Sequence, residues 1–332
     1  MVTTYVSEKE LAARYHTASV AYLYHNKCRT LMVEGGNFIK VRFCTDEDLY
    51  YIRETAIRLG VDKAERYCPS SWASLFHDAF PRVQQARYTD RLYFPAHISG
   101  SWEECRTRGN VEGAQEYDMI SAYGWSGLRD VPAFHTSWPV QKYEGPGIYL
   151  VKILGYGVPI IPPHMRIAAT QGKNVWVTDE EIEKLDLKFV TVRGLKFAHY
   201  WKPGDRIKRV IDAAPERVWK KVLRSYWGVW LAHSGTTCKA LKSGKVWTLP
   251  NRSYDPISAH YIISRVRLRV ADHAPDAAHI FTDAVITKKE IHQGSLLGDW
   301  RIKNNFKRVK IKHAGRFDYE TTNGTLGKKG VG

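Results

Sequence analysis

The chain has 332 residues and carries 50 lysines and arginines against 34 aspartates and glutamates, a formal net charge of +16, while 44% of its residues are hydrophobic. That hydrophobic share is ordinary for a packed globule and argues against a disordered tail protein; the length sets an expectation of roughly two domains able to bury cores without staples. Five scattered cysteines (Cys28, Cys44, Cys68, Cys105, Cys238) sit at no zinc-ligand or redox spacing, which argues against a disulfide framework and a zinc ribbon. The sequence has no basic-then-apolar leader over Met1 to Glu10 and no run of about eighteen apolar residues, so the expectation is a soluble cytoplasmic protein with no membrane partner. The positive surplus, together with 12% aromatic residues, favours a polyanionic partner, because phosphates exchange condensed counterions for lysine and arginine and bases stack on aromatic rings.

In chain order, residues 7 to 34 read as a helix opened by Ser7 with Glu10 three residues on, and residues 45 to 59 as a second, with Leu49, Ile52, Ala56 and Leu59 at helical spacing. A short helix is expected from Ser70 to Phe80. After Pro81 the pattern turns strand-like near Arg91 to Ile98, Gln115 to Ile120, Gly147 to Leu154 and Phe189 to Val192. Pro215, behind a candidate N-cap at Asp212, opens a helix through about Trp230 whose one face carries Arg217, Lys220, Lys221 and Arg224 and whose other carries Val218, Val222 and Tyr226. A further helix runs from Pro256 to about Val270, followed by a strand-turn-strand unit from Ala278 to Thr287 with Phe281, Thr282 and Asp283 at its tip. Arg301 to Lys312 is strongly basic. Thr321 to Gly332 reads as a Gly-rich tail with little reason to order, and its lysines Lys328 and Lys329 carry no specific message.

The phosphate-cradling Gly-x-x-x-x-Gly-Lys loop, the His-Glu-x-x-His zinc pattern and the dinucleotide Gly-x-Gly-x-x-Gly fingerprint are all missing. Two aspartates at expected strand ends remain, Asp118 in Tyr117-Asp118-Met119-Ile120-Ser121-Ala122-Tyr123 and Asp283 in Ile280-Phe281-Thr282-Asp283-Ala284-Val285. Brought together by adjacent strands, two such carboxylates could hold two hard divalent cations whose shells are completed by water and substrate phosphates, the arrangement used for in-line phosphoryl transfer.

In the order of these segments the sequence resembles the family B DNA polymerases, nearest to their small phage-type, protein-primed branch. The first palm motif, Asp-x-x-Ser-x-Tyr-Pro, is similar to Asp118-Met119-Ile120-Ser121-Ala122-Tyr123-Gly124, with Gly124 in the proline's place. The second, Lys-x-x-x-Asn-Ser-x-Tyr-Gly, resembles Lys220-Lys221-Val222-Leu223-Arg224-Ser225-Tyr226-Trp227-Gly228. The third, Tyr-x-Asp-Thr-Asp-Ser, resembles His279-Ile280-Phe281-Thr282-Asp283-Ala284 at its threonine and final aspartate. Ser99 to Glu103 stands where that branch has a Gly-Gly-Arg-Glu-like stretch. Leu297-Gly298-Asp299-Trp300 through Lys310 resembles the primer-grasping segment.

The resemblance implies an α+β fold: a polymerase palm with a central antiparallel sheet and helices on one face, very short fingers, no thumb and a helical N-terminal segment. Its divisions would be a helical pre-palm segment over 1–95, a first palm part over 96–200, reduced fingers over 201–235, a second palm part over 236–320 and a flexible tail over 321–332. Asp118, Asp283 and the Met119 carbonyl would bind Mg²⁺ or Mn²⁺. Tyr123, with Ser121 and Met119, would face the incoming nucleotide, Tyr123 filling the space of a 2′-hydroxyl. Lys220 would neutralise the triphosphate with help from Arg217 and Arg224, and Lys303, Lys307, Arg308, Lys310 and Arg316 would line the DNA.

The implied activity is template-directed addition of dNTPs to a primer 3′ end on a DNA primer-template. It would lack a proofreading exonuclease, and a separate protein could supply the clamp or thumb; a phage-encoded chain would work in the bacterial host cytoplasm. Phe281 replaces the first aspartate of the third motif, Arg224 and Trp227 replace an asparagine and a tyrosine of the second, and Gly315-Arg316-Phe317 stands where a Lys-x-Tyr signature meets the primer. These departures fall on groups that position sugar, base and primer. They keep open a catalytically degenerate palm acting as a nucleic-acid-binding or replication-assembly subunit, and a primer-making or terminal-transferase-like enzyme.

Overall fold

A computed structural model describes residues 3–6, 21–25, 27–33, 37–41, 44–67, 69, 71–80, 102–133, 136–231, 234–240, 246–250 and 255–329. In chain order the elements are β1 (Thr3–Val6), β2 (Ala21–His25), β3 (Lys27–Val33), β4 (Asn37–Val41), α1 (Asp46–Leu59), α2 (Trp72–Ala79), β5 (Glu103–Cys105), β6 (Gly109–Glu112), β7 (Gln115–Met119) and α3 (Ala122–Ser126). Then come β8 (Val131–Pro132), β9 (Ser137–Val140), β10 (Ile148–Tyr156), α4 (Pro163–Gln171), β11 (Asn174–Thr178), α5 (Asp179–Lys184), β12 (Leu187–Phe197), β13 (Tyr200–Trp201), α6 (Pro203–Ala213), α7 (Glu216–Ser225) and α8 (Gly228–Leu231). The chain closes with β14 (Ser234–Ala240), β15 (Val246–Pro250), α9 (Pro256–Ala271), β16 (Ala277–Phe281), β17 (Ala284–Thr287), β18 (Trp300–His313), β19 (Arg316–Thr321) and β20 (Leu326–Lys329). These fall into two units, one built from 1–87 with 205–256 and the other from 88–204 with 257–332. Among the described residues no helix is long and apolar enough to cross a membrane.

In the first unit, α1 begins where Thr45 Oγ1 accepts the Asp48 N–H at 3.1 Å and ends at Gly60, whose φ of +74° only a glycine adopts freely. Its spaced apolar residues Leu49, Ile52, Ala56 and Leu59 are buried, as are Val218, Val222 and Tyr226 of the α7 segment. Phe76 of α2 meets the Tyr226 ring at 4.8 Å, and Tyr226 meets Trp230 edge-on at 5.3 Å. The expected helix past Pro215 is interrupted: α7 stops at Ser225, where the Trp227 indole N–H donates to the Arg224 carbonyl at 3.1 Å, and α8 restarts at Gly228. Asp212 is not an N-cap, because it lies within α6; Pro215 itself takes the extended capping position.

Within the expected helical N-terminal segment, the helices near 45–59 and 70–80 are present as α1 and α2, but the helix expected over residues 7 to 34 is corrected. Residues 21–25 and 27–33 are strands, part of a sheet ordered β1-β4-β3-β2-β14-β15 in which only β1 and β4 run parallel. Tyr22, Tyr24, Thr30 and Val33 favour a pleated strand, and β14 supplies a partner from over two hundred residues away, which local periodicity does not reveal. The rest of that helix, Ser7 included, the strand expected over 91–98 and the 99–101 stretch lie outside the described residues.

The second unit holds an antiparallel sheet ordered β20-β19-β18-β7-β17-β16-β5, with β6 also on β18. Register shifts curl β18, so its first half pairs with β7 and its second half with β6 and β19. The period-2 alternation sends Tyr117, Met119, Ile280, Val285 and Trp300 to one face, where they pack with Trp102 and with Val266 and Val270 of α9. Ile286, Phe306, Val309, Ile311 and Phe317 form a separate core on the other face. A smaller sheet, β11-β10-β12-β9, packs Tyr149, Val151 and Ile153 with Leu268 of α9. The tail expectation is also corrected: β20 pairs with β19 from Leu326 to Lys329.

α9 is buried from Pro256 through Leu268, so its polar side chains need internal partners. Arg265 forks onto Glu180 at 2.6 and 2.9 Å and donates to the Asp130 carbonyl at 2.7 Å. Arg267 reaches Glu181 at 2.6 Å, and Glu181 doubles as the second half of the capping box with Thr178 that starts α5. Burial alone would lift the Glu181 carboxyl; Arg267, joined by His260 and His164, outweighs it and holds that group well below the usual carboxylate range.

Candidate active site

Asp118 sits near the end of β7 and Asp283 in the β16–β17 turn. Ala284 is paired with Asp118, and the Met119 N–H donates to the Asp283 carbonyl at 3.0 Å, so the two aspartates lie at adjacent positions of neighbouring strands. The turn is tight: Thr282 has a φ of +58°, its N–H donates to the Trp102 carbonyl at 2.8 Å and its hydroxyl to Asp283 Oδ1 at 2.7 Å. On the Asp118 side, Ile120 N–H donates to Asp299 and Gly298 N–H to Ile120, both at 2.8 Å, while a Cβ on Gly298 would lie 2.2 Å from the Trp125 ring. Backbone bonds thus fix both carboxylate-bearing segments.

Asp118 and the Arg301 opposite it share the face away from α9, as do Ala284 and Phe281, in one row across the sheet. Lys303 Nζ is 3.0 Å from Asp118 Oδ1 and Arg301 Nη2 is 3.4 Å from Oδ2. Burial lifts the Asp283 carboxyl above its ordinary range; the Thr282 hydroxyl opposes this and the Asp118 charge adds to it. Among the described residues no cluster of three or more His, Cys, Asp or Glu could cage a metal. A pair of carboxylates still suits a hard ion such as Mg²⁺, which is commonly held by one or two carboxylates plus waters and substrate phosphates. The all-oxygen donors and the charge crowding at Asp283 fit such an ion.

The other expected site residues fall as follows. The Met119 side chain is buried on the α9 side, and Tyr123 of α3 packs on that same core. Ser121 holds a left-handed conformation at φ +47° before α3. On the basic strand, Lys307 Nζ pairs with Glu320 at 2.9 Å and Arg308 approaches it at 3.8 Å. Lys310 is exposed opposite Asp318, and Arg316 is exposed at the start of β19. Arg217, Lys220 and Arg224 belong to the first unit: Arg217 bridges Glu47 and Asp48, Lys220 pairs with Glu216 one turn back, and Arg224 is exposed.

Sequence reasoning missed Arg301, whose i, i+2 spacing from Lys303 on a strand was the available signal. It also missed what surrounds Phe281. That ring stacks on His279 at 6.5 Å and 21°, and Lys329 Nζ lies 5.2 Å from its centre while bonding buried Glu116 at 2.5 Å. Lys329 is therefore an anchored residue and not an unspecific tail lysine.

His279 Nε2 accepts the Gly315 N–H at 3.1 Å, which requires the neutral ring. Burial pushes its pKa down to about 4. The unfolded histidine, near 6.5, takes up its proton first, so acidification from about pH 6.5 to 4 removes roughly 3 kcal/mol of stability through this residue. Urea unfolding at neutral pH and near pH 4.5 tests this: His279→Gln, which keeps an acceptor but does not titrate, should lose less stability on acidification than the wild type.

No family model matches the sequence, and a sequence comparison with curated proteins finds no match. The fold, by contrast, has clear counterparts. The chain is similar to phi29 DNA polymerase complexed with primer-template DNA (post-translocation binary complex), with TM-score 0.60, 13% identity and coverage of 91% of this chain and 72% of that one. The fold is polymerase-like. In the ternary complex of phi29 DNA polymerase with primer-template DNA and incoming nucleotide substrates the figures are 0.58, 14%, 83% and 62%. In the complex with single-stranded DNA they are 0.53, 14%, 70% and 53%, so in that comparison the chain spans about half of the polymerase's length.

Proposed function

We propose that the chain is a template-directed DNA polymerase of the family B type, extending a primer 3′ end with dNTPs on a DNA template. The observation that carries this reading is the side-by-side placement of Asp118, paired with Ala284, and Asp283, whose carbonyl accepts the Met119 N–H, within a polymerase-like fold. In the proposed reaction the primer 3′ oxygen forms a bond to the nucleotide's α-phosphate and pyrophosphate leaves. Asp118 and Asp283, with the Met119 carbonyl, would hold Mg²⁺ or Mn²⁺, which when bound supplies Lewis-acid stabilisation of the phosphoryl oxygens. The backbone bonds of Thr282, Met119 and Ile120 fix the main chain that carries each of the two carboxylates. Lys303, Lys307, Arg308, Lys310 and Arg316, on β18 and β19, are proposed to bind DNA phosphates. The nucleotide-facing roles of Tyr123 and Ser121, and the phosphate roles of Lys220, Arg217 and Arg224, rest on their motif positions.

Primer extension with Mg²⁺ or Mn²⁺ tests the reading. Wild type should extend a templated primer, and Asp118→Ala should lower the rate by about a thousandfold or more, since losing a metal ligand removes several kcal/mol of transition-state stabilisation. Equal incorporation by both would overturn it.

A second reading, a nucleic-acid-binding palm without catalysis, is favoured by one observation: Phe281, buttressed by His279 and Lys329, stands where the third motif carries an aspartate. It predicts salt-sensitive DNA binding that survives removal of both aspartates, with no synthesis.

A further inference from the structure

Each oxygen of the Asp118 carboxylate faces a cation of its own. Lys303 Nζ lies 3.0 Å from Oδ1 and Arg301 Nη2 3.4 Å from Oδ2, both reaching it from β18. The carboxylate is 15% exposed while Arg301 and Lys303 remain 48% and 43% exposed, so the cations' stems are free to swing outward and the anion is not. A divalent ion approaching Asp118 therefore meets a neutralised carboxylate and two positive charges. A phosphate chain passing along β18 meets the same two cations and draws them away from Asp118.

We propose that Arg301 and Lys303 form a charge clasp on Asp118 that nucleic-acid phosphate opens, so that binding of a divalent cation at Asp118 and binding of DNA strengthen one another. This rests on the reading of Asp118 and Asp283 as a metal site and adds its regulation: the site fills in the presence of primer-template and stays weak without it. The coupling is reciprocal, because the factor by which DNA tightens the metal must equal the factor by which the metal tightens DNA. The clasp also limits unproductive metal binding by the free protein.

The test uses the full chain, with Mn²⁺ and a fluorescein-labelled primer-template duplex as probes. Bound Mn²⁺ is read from the loss of the free-ion EPR signal and duplex affinity from anisotropy, for wild type, Asp118→Asn, Arg301→Gln with Lys303→Gln, and Arg301→Lys with Lys303→Arg. The Asp118→Asn protein defines Mn²⁺ bound elsewhere, including on DNA. In wild type the Asp118-dependent Mn²⁺ affinity should rise roughly tenfold with duplex, about what two partly exposed ion pairs supply. Duplex affinity should rise by the same factor with Mn²⁺. The double glutamine variant should bind Mn²⁺ roughly tenfold tighter without duplex and show a coupling near one, and the charge-conserving variant should retain the coupling. Asp118-dependent Mn²⁺ binding that is equal in wild type and the glutamine variant and indifferent to duplex would overturn the clasp while leaving the polymerase reading intact. No Asp118-dependent Mn²⁺ binding in any background, the glutamine variant included, would overturn both.

Discussion

Replacing Asp283 by asparagine is expected to remove primer extension while leaving the fold as stable as before or more so. The two effects separate because the same carboxylate is costly to the fold and required by the chemistry. Burial and the nearby Asp118 raise its pKa, so its charged form is held against desolvation and like-charge repulsion. An amide of the same shape relieves both and can still accept the Thr282 hydroxyl now 2.7 Å away. Catalysis loses a hard anionic ligand, and a fall of about a thousandfold or more in rate is expected. Steady-state extension and urea unfolding of the same preparation check the pair of outcomes; a variant that loses activity only in proportion to lost stability would mean that Asp283 acts as a structural residue.

The largest stability effect is expected at α9. Arg267→Met should destabilise the second unit by about 3–5 kcal/mol, because it leaves Glu181 charged and buried without its principal partner. Glu181→Leu should also be costly, since it removes the acceptor of the Thr178 N–H as well as the ion pair. The double variant should cost less than the sum of the singles, by about 1–3 kcal/mol of coupling, because neither buried charge is then left alone. Denaturant unfolding of all four proteins measures that coupling, and additive losses would show that Arg267 and Glu181 do not act as a pair.

What was legible in the sequence was local. The Thr45 cap and the Leu49, Ile52, Ala56, Leu59 stripe define α1, Pro256 opens α9, and Thr282 and Asp283 form the turn between β16 and β17 in the expected strand-turn-strand unit. The ordered aspartate motifs also located Asp118 and Asp283, though their adjacency depends on β7 and β17 pairing across more than 160 residues. What was not legible depended on partners distant in the chain. Residues 21–33 are strands because they pair with one another and with β14, and Leu326–Lys329 is ordered because β19 offers an edge and Glu116 an anchor for Lys329. Arg301 read as one more charge in a basic run until the register of β18 against β7 set it opposite Asp118.

The most direct test of the central claim, that Asp118 and Asp283 hold one divalent-metal site, is a crystal of the protein with primer-template DNA soaked in Mn²⁺ and measured for anomalous scattering. An anomalous peak within coordination distance of both carboxylates, lost in Asp283→Asn, is expected. Manganese bound elsewhere with those carboxylates unliganded, or carboxylates turned apart with no peak between them, would contradict it.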